Sequence, residues 1–190
     1  DEVGCYSFAT SDYQVISHPE FFYISTLMLD SSESTLWIGN AHHLHRMNLN
    51  TKEIERVRDF YVVKSIAKDD NNLLIGTDNG LYVCDRQGTW HLISHDARNS
   101  QSLSSNVVNM FFKDANGNIW IGTDNGISLA AHNPSIRSRS LFDITGSDEG
   151  CQISSIQRTV DSTLWLGGSR GLIKLKNRHA GQQYPSVVPK

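Results

Sequence analysis

The chain is written in short runs of alternating apolar and polar residues, bounded by clusters of Asn, Asp, Gly and Ser. Alternation with a period of two predicts β-strands joined by tight turns. No ten-residue window sustains the spacing of an amphipathic helix. In IWIGT (119–123), Ile119, Ile121 and Thr123 fall on one face, and Trp120 and Gly122 on the other. Neither face is polar, which predicts a strand covered on both sides. The turns agree. Asn71 with Asn72, and Asn116 with Gly117, tolerate the positive φ of a tight hairpin, and the pairs Asn79–Gly80 and Asn125–Gly126 open a second one.

The pattern repeats. IGTDNG fills 75–80 and recurs unchanged at 121–126. Aligned on the glycine after the apolar pair, four versions appear: LWIGNAHHL (36–44), LLIGTDNGL (73–81), IWIGTDNGI (119–127) and LWLGGSRGL (164–172). Gly39, Gly76, Gly122 and Gly167 are spaced 37, 46 and 45 residues, a period that suits a four-stranded propeller blade. Upstream, VVKSIAKD (62–69) and VVNMFFKD (107–114) share both valines, the lysine and the aspartate, with YISTLMLD (23–30) and QISSIQRT (152–159) as looser copies. GLYVCD (80–85) and GISLAA (126–131) supply a third strand, and IERVRDF (54–60), TWHLISH (89–95) and IRSRSLF (136–142) a weaker fourth.

The chain therefore reads as all-β, a β-propeller of about four four-stranded antiparallel blades at 21–61, 62–103, 104–147 and 148–190. Residues 1–20 would give the outer strand of a preceding or closing blade. Trp37, Trp120 and Trp165 take equivalent places, with Leu74 as the smaller substitute. A tryptophan beside a bare glycine fits a ring packed where a neighbouring sheet approaches closely. A sugar-stacking platform is the other reading of these rings, and the mid-strand position favours the core. The glycines Gly80, Gly126 and Gly171 read as turn residues.

Composition removes several function classes. With 17 basic and 20 acidic side chains, a net charge of −3 and 38% hydrophobic residues, the balance is that of a globular domain without a nucleic-acid surface. The longest apolar stretch, 21–29, is nine residues and too short for a bilayer. The opening DEVGCYSF has neither the basic nor the apolar region of a signal, so a cytosolic protein and one with its signal removed both stay open. Cys5, Cys84 and Cys151 form no Cys-x-x-Cys pair. No nucleophile elbow, zinc-protease helix, phosphate loop or dinucleotide fingerprint is present, so neither catalytic residues nor a cofactor is expected. Asp148 and Glu149 are the nearest approach to a carboxylate pair, in a polar loop between blades.

The unit resembles the two-component regulator propeller repeat, most clearly in VVNMFFKDANGNIWIGTDNGIS (107–128) with LSSN (103–106) before it. VVKSIAKDDNNLLIGTDNGLYV (62–83) is nearly as close, and the first and last units depart at their turns. The resemblance implies the periplasmic sensor region of a hybrid two-component system, which detects a carbohydrate and signals through a membrane helix to kinase, receiver and DNA-binding modules. It also implies about seven repeats in a ring, so the four units read as a segment. A closed four-bladed ring, with YQVISH (13–18) completing the last blade, is the second arrangement.

Candidate ligand residues sit at the turns after each marker glycine, where propeller loops converge. They are Asn40, His42 and His43 in the first unit, Asp78 and Asn79 in the second, Asp124 and Asn125 in the third, and Ser169 and Arg170 in the fourth. Acids and amides there suit sugar hydroxyls, and Arg170 suits an acidic sugar. Asp-Asn-Gly is also plain turn chemistry. The histidines of AHHLH (41–45) put His42 and His43 in a turn and His45 in a strand, so no metal site is expected from them. DANGN (114–118) lacks the glycine and glutamate positions of a calcium loop. An oligosaccharide is the expected partner. A propeller lyase or glycosidase and a dimerisation module are the alternatives. An open stack of blades also leaves apolar end faces bare, with Ile38 or Trp165 among them, and is expected to self-associate or form a homodimer through those faces.

Overall fold

Strands form where the alternation places them, in a computed structural model that describes residues 1–99, 101–130, 136–140, 144, 151–161 and 163–175. A two-stranded hairpin comes first, β1 (Glu2–Ser7) and β2 (Asp12–Ser17). Blade 1 is β3 (Thr26–Asp30), β4 (Thr35–Gly39), β5 (His43–Asn48) and β6 (Ile54–Asp59). Blade 2 is β7 (Val63–Asp69), β8 (Asn72–Thr77), β9 (Gly80–Cys84) and β10 (Trp90–Ile93). Blade 3 is β11 (Val108–Lys113), β12 (Ile119–Thr123), β13 (Gly126–Ala130) and β14 (Ile136–Ser140). Blade 4 has β15 (Ile153–Arg158), β16 (Leu164–Gly168) and β17 (Gly171–Leu175) among the described residues. Every blade is an antiparallel meander. Among the described residues no helix is long and apolar enough to cross a membrane.

The core lies between blades. One apolar cluster joins blades 1 and 2 through Leu44, Phe60, Val63, Ile66, Leu73 and Ile75, with the Trp37 ring against it. Another joins blades 2 and 3 through Leu74, Leu81, Val108, Ile119 and Ile121. A third joins blades 3 and 4 through Ile127, Ile153, Ile156, Leu164, Leu166 and Ile173. Each blade interior is thus apolar on both faces, which is why IWIGT carries no polar side.

The marker glycines mark the approach of the next blade. A Cβ on Gly39 would lie 2.4 Å from Val63 Cγ1, one on Gly76 2.7 Å from Val108 Cγ1, and one on Gly122 3.0 Å from Ile153 Cγ2. Val63, Val108 and Ile153 open the first strands of successive blades and are fully buried. The strand that enters a blade therefore lies across the glycine of the blade before it, and any side chain there would hold the sheets apart.

The shared Lys-Asp dipeptide has a related role. The first-strand acid of each blade meets the first-strand cation of the next: Asp30 with Lys68, Asp69 with Lys113 at 3.0 Å, and Asp114 with Arg158 at 2.8 Å. Blade 1 has Leu29 at the cation position and blade 4 has Thr159 at the acid position, so the ladder stops at both ends. First strands touch in order, β3 with β7, β7 with β11 and β11 with β15, while β3 and β15 make no comparable contact. The four blades form an open arc.

Three expectations change. The stretch 13–18 does not complete blade 4; Asp12–Ser17 pairs with Glu2–Ser7 instead. Ile38 is not bare, because Val3, Ile16 and Phe21 cover it together with Met47. The tryptophans are half-buried rather than enclosed, and the fully buried side chain is the next residue, Ile38, Ile121 or Leu166. Trp120 Nε1 donates to Asp114 Oδ2 at 3.1 Å, and Lys174 lies over the Trp165 ring at 4.9 Å. Asp148, Glu149 and the end of blade 4 beyond residue 175 lie outside the described residues.

Candidate ligand-binding rim

The turns after the marker glycines lie at one end of the arc and join the segments that lead into the next blade. Val63 N–H donates to Asn40 O at 3.1 Å, Gly80 N–H to Asn106 O at 2.7 Å, and Asn125 bridges to Cys151. Tips and connectors so form one continuous rim.

Two kinds of tip build it. At Thr77–Gly80 and Thr123–Gly126 the threonine hydroxyl donates to the glycine carbonyl and accepts the Asn79 or Asn125 N–H. Gly80 and Gly126 have φ of 117° and 119°, and a Cβ on Gly80 would meet the Ile93 carbonyl oxygen at 2.7 Å. Only glycine fits there. Blade 1 has His43 at this place and closes its tip differently. Asn40 is fully buried, its Oδ1 accepts the His42 and His43 N–H groups, and its Nδ2 donates to Glu20 O at 2.9 Å. His43 opens β5 rather than sitting in the turn.

The candidate side chains divide accordingly. Asn40 is consumed internally and offers nothing to a ligand. Asp78 pairs with Lys64 at 3.1 Å, and Asp124 accepts from Asn109 Nδ2 at 2.8 Å, which leaves further acceptor capacity on both half-exposed carboxylates. Asn79, Asn125, Ser169 and Arg170 are exposed, and Ser169 Oγ accepts the Gln152 N–H at 3.2 Å. His42 is exposed, while His43 Nδ1 lies 3.0 Å from Asp59 Oδ1.

Around the first tip stand aromatic rings that the sequence reading did not single out. Phe22 is 55% exposed, Tyr23 69% and Tyr61 79%. Phe22 meets Tyr23 edge-on at 4.7 Å and lies parallel to the His42 ring at 6.2 Å, and its carbonyl accepts the Ala41 N–H. Phe22 and Tyr61 hold the same place in successive connectors, seen in FFYIST (21–26) against FYVVKS (60–65). That alignment was the available signal. These rings give the rim a π surface beside amides, carboxylates and imidazole.

Behind the tip lies His45, fully buried on β5. Its Nε2 is 3.0 Å from Glu20 Oε2, and Glu20 Oε1 is 3.3 Å from Arg56 Nη1. Burial pushes the His45 imidazole below its usual value, against the pull of Glu20, so the contact is a neutral N–H donated to a carboxylate. Glu20 is held below the usual carboxylate range chiefly by that hydrogen bond.

At the opposite end, a cavity of about 410 Å3 opens between blades 3 and 4, lined by Asp114, Asn118, Trp120, Arg139, Arg158 and Leu175 among others. Burial pushes the Asp114 carboxyl up, but hydrogen bonds from Trp120 and Asn118 outweigh it and hold the group at about 2.

Residues 102–125 match the family described as two component regulator propeller. No curated protein matches the chain. Among solved structures, the extracellular domain of BT4673 from B. thetaiotaomicron is 33% identical over 96% of this chain, with a TM-score of 0.62. It is described as a one component system in one structure and as a hybrid two component system in another. The extracellular domain of the hybrid two component system BT3049 from the same organism is 20% identical over 91% of this chain, with a TM-score of 0.71, a likeness of fold. This chain spans about a quarter of those structures, 27% and 24% of their length. With residues 102–125 matched and three more units in register with them, the chain carries repeats of the two component regulator propeller type.

Proposed function

We propose that this chain is part of the extracytoplasmic, ligand-sensing propeller of a two-component signalling protein, and that its rim binds an oligosaccharide. The location and signalling role rest on likeness to BT4673, which is described as an extracellular domain. In this reading the ectodomain is periplasmic and acts through histidine kinase and DNA-binding modules elsewhere in the protein to regulate transcription.

The observation that carries the ligand class is the exposure of Phe22 and Tyr23, in contact with each other and beside the His42 ring, and of Tyr61 at the equivalent place in the next connector. A sugar ring presents an apolar C–H face and a fringe of hydroxyls. Exposed aromatic rings take the first, and carboxylates and amides take the second.

The test is a calorimetric titration of the chain with a panel of plant and host oligosaccharides, followed by chromatography of the mixture. Saturable binding is expected, weakened by Phe22→Ala and Tyr61→Ala with unchanged thermal midpoints, and the sugar recovered intact. Cleaved or eliminated sugar would establish the enzyme reading. Binding indifferent to both variants would move the site away from the rim.

A further inference from the structure

We infer that His18, Glu20 and His45 form a binding site for a divalent transition-metal ion of the zinc class, clamping the connector before blade 1 to the blade. The sequence brings two imidazoles and a carboxylate together from β5 and the turn at 18–21, and one ligand atom from each lies within 4.8 Å of the others. Two nitrogens and an oxygen suit zinc and its first-row neighbours, whereas calcium and magnesium favour all-oxygen sites.

The donor set is more than a hydrogen bond requires. Blade 3 makes the corresponding contact with serines, Ser104 Oγ to Ser128 Oγ at 3.2 Å and Ser104 N–H to Ser128 Oγ at 3.0 Å. Blade 1 replaces them with glutamate and histidine and adds a second imidazole, His18, 5.5 Å from His45 between ring centres. His45 is fully buried, and its Nδ1 has no hydrogen-bond partner. That nitrogen is therefore free to carry the ring proton when Nε2 takes a cation.

Ligation breaks few bonds. The cation takes the Nε2 lone pair of His45, and the ring proton that Nε2 now donates to Glu20 moves to Nδ1, where it displaces no existing hydrogen bond. His18 gives up only the long Glu20 N–H to Nδ1 contact of 3.3 Å. Ligands about 2.1 Å from a tetrahedral ion stand roughly 3.4 Å apart, so the widest pair closes in by up to about 1.4 Å while the His45–Glu20 pair, now at 3.0 Å, opens slightly. His45 is fixed between the Phe21, His18 and His43 rings, whereas His18 and Glu20 are half-buried on a turn and supply that movement. Glu20 O also accepts from Asn40 Nδ2, so the bound ion would steady the first tip of the rim.

Calorimetric titration of the tag-free, chelator-washed chain with Zn2+ tests this, with visible absorption of the Co2+ form as a second readout. One equivalent per chain is expected, and His18→Ala and Glu20→Gln each weaken binding about tenfold or more, since even outer-sphere partners are worth that much. His91→Ala, on the exposed Asp85 contact, leaves affinity unchanged. Melting curves in chelator show that the variants are folded. No stoichiometric binding, or binding that either variant leaves unaltered, overturns the assignment and leaves the cluster a hydrogen-bonded latch.

Discussion

Asp114 ties its own hairpin to the next blade. It is 1% exposed, receives Trp120 Nε1, Asn116 N–H and Asn118 N–H, and pairs with Arg158 of the next blade. Asp114→Asn removes the charge and leaves Arg158 facing a neutral amide, and is expected to cost roughly 2–4 kcal/mol in urea unfolding. Its folded pKa, about 2, lies below the ordinary 3.8, so its stabilisation is whole above about pH 4 and fades as pH falls toward 2. His45 adds an earlier acid limb. Its pKa is lowered by burial, so stability falls as pH drops below the ordinary 6.5, and His45→Gln should remove that limb from the melting curve. An unchanged slope between pH 7 and 5 in that variant would show His45 to be solvated. Trp120→Ala should cost about 2–3 kcal/mol, less than for an enclosed ring, because part of the ring already lines the cavity. At this scale the tips were legible, since Asn-Gly turns and marker glycines are local. The roles of Asn40 and His45 were not, because their partner Glu20 lies 20 and 25 residues away on a connector.

At the scale of elements, the strands were legible because each alternates and ends in a turn. What escaped was pairing. YQVISH (13–18) reads as an outer strand, but nothing local shows that Glu2–Ser7 would pair with it. That hairpin covers Ile38 and Met47 of blade 1, so removing residues 1–17 should bare both and lower the thermal midpoint by several degrees while raising dye binding to apolar surface. A truncated chain that melts unchanged would show that the hairpin rests on blade 1 without stabilising it. The Lys-Asp ladder was visible as a repeated dipeptide, and its meaning came only with the blades side by side.

The whole molecule is an arc with two unlike ends. The outward face of the hairpin exposes Tyr6, Tyr13 and Val15, with Phe8 beside Tyr6, and blade 4 exposes Leu172 and part of Trp165. Apolar surface of that extent favours association, so light scattering across a concentration series should show the chain self-associating, and Tyr13→Lys with Val15→Lys should reverse it. A monomer at every concentration would show that the faces are tolerated in water. Leu29 and Thr159 leave the ladder unmatched between blades 1 and 4, which argues against closure of these four blades on one another. The claim that matters most for function is that ligand binds the rim. Hydrogen–deuterium exchange, with and without the tightest-binding oligosaccharide of the panel, tests it directly. Protection is predicted at 22–24, 40–43, 61–63 and 77–80; protection confined to 114–120 and 158, around the cavity at the other end, would contradict it.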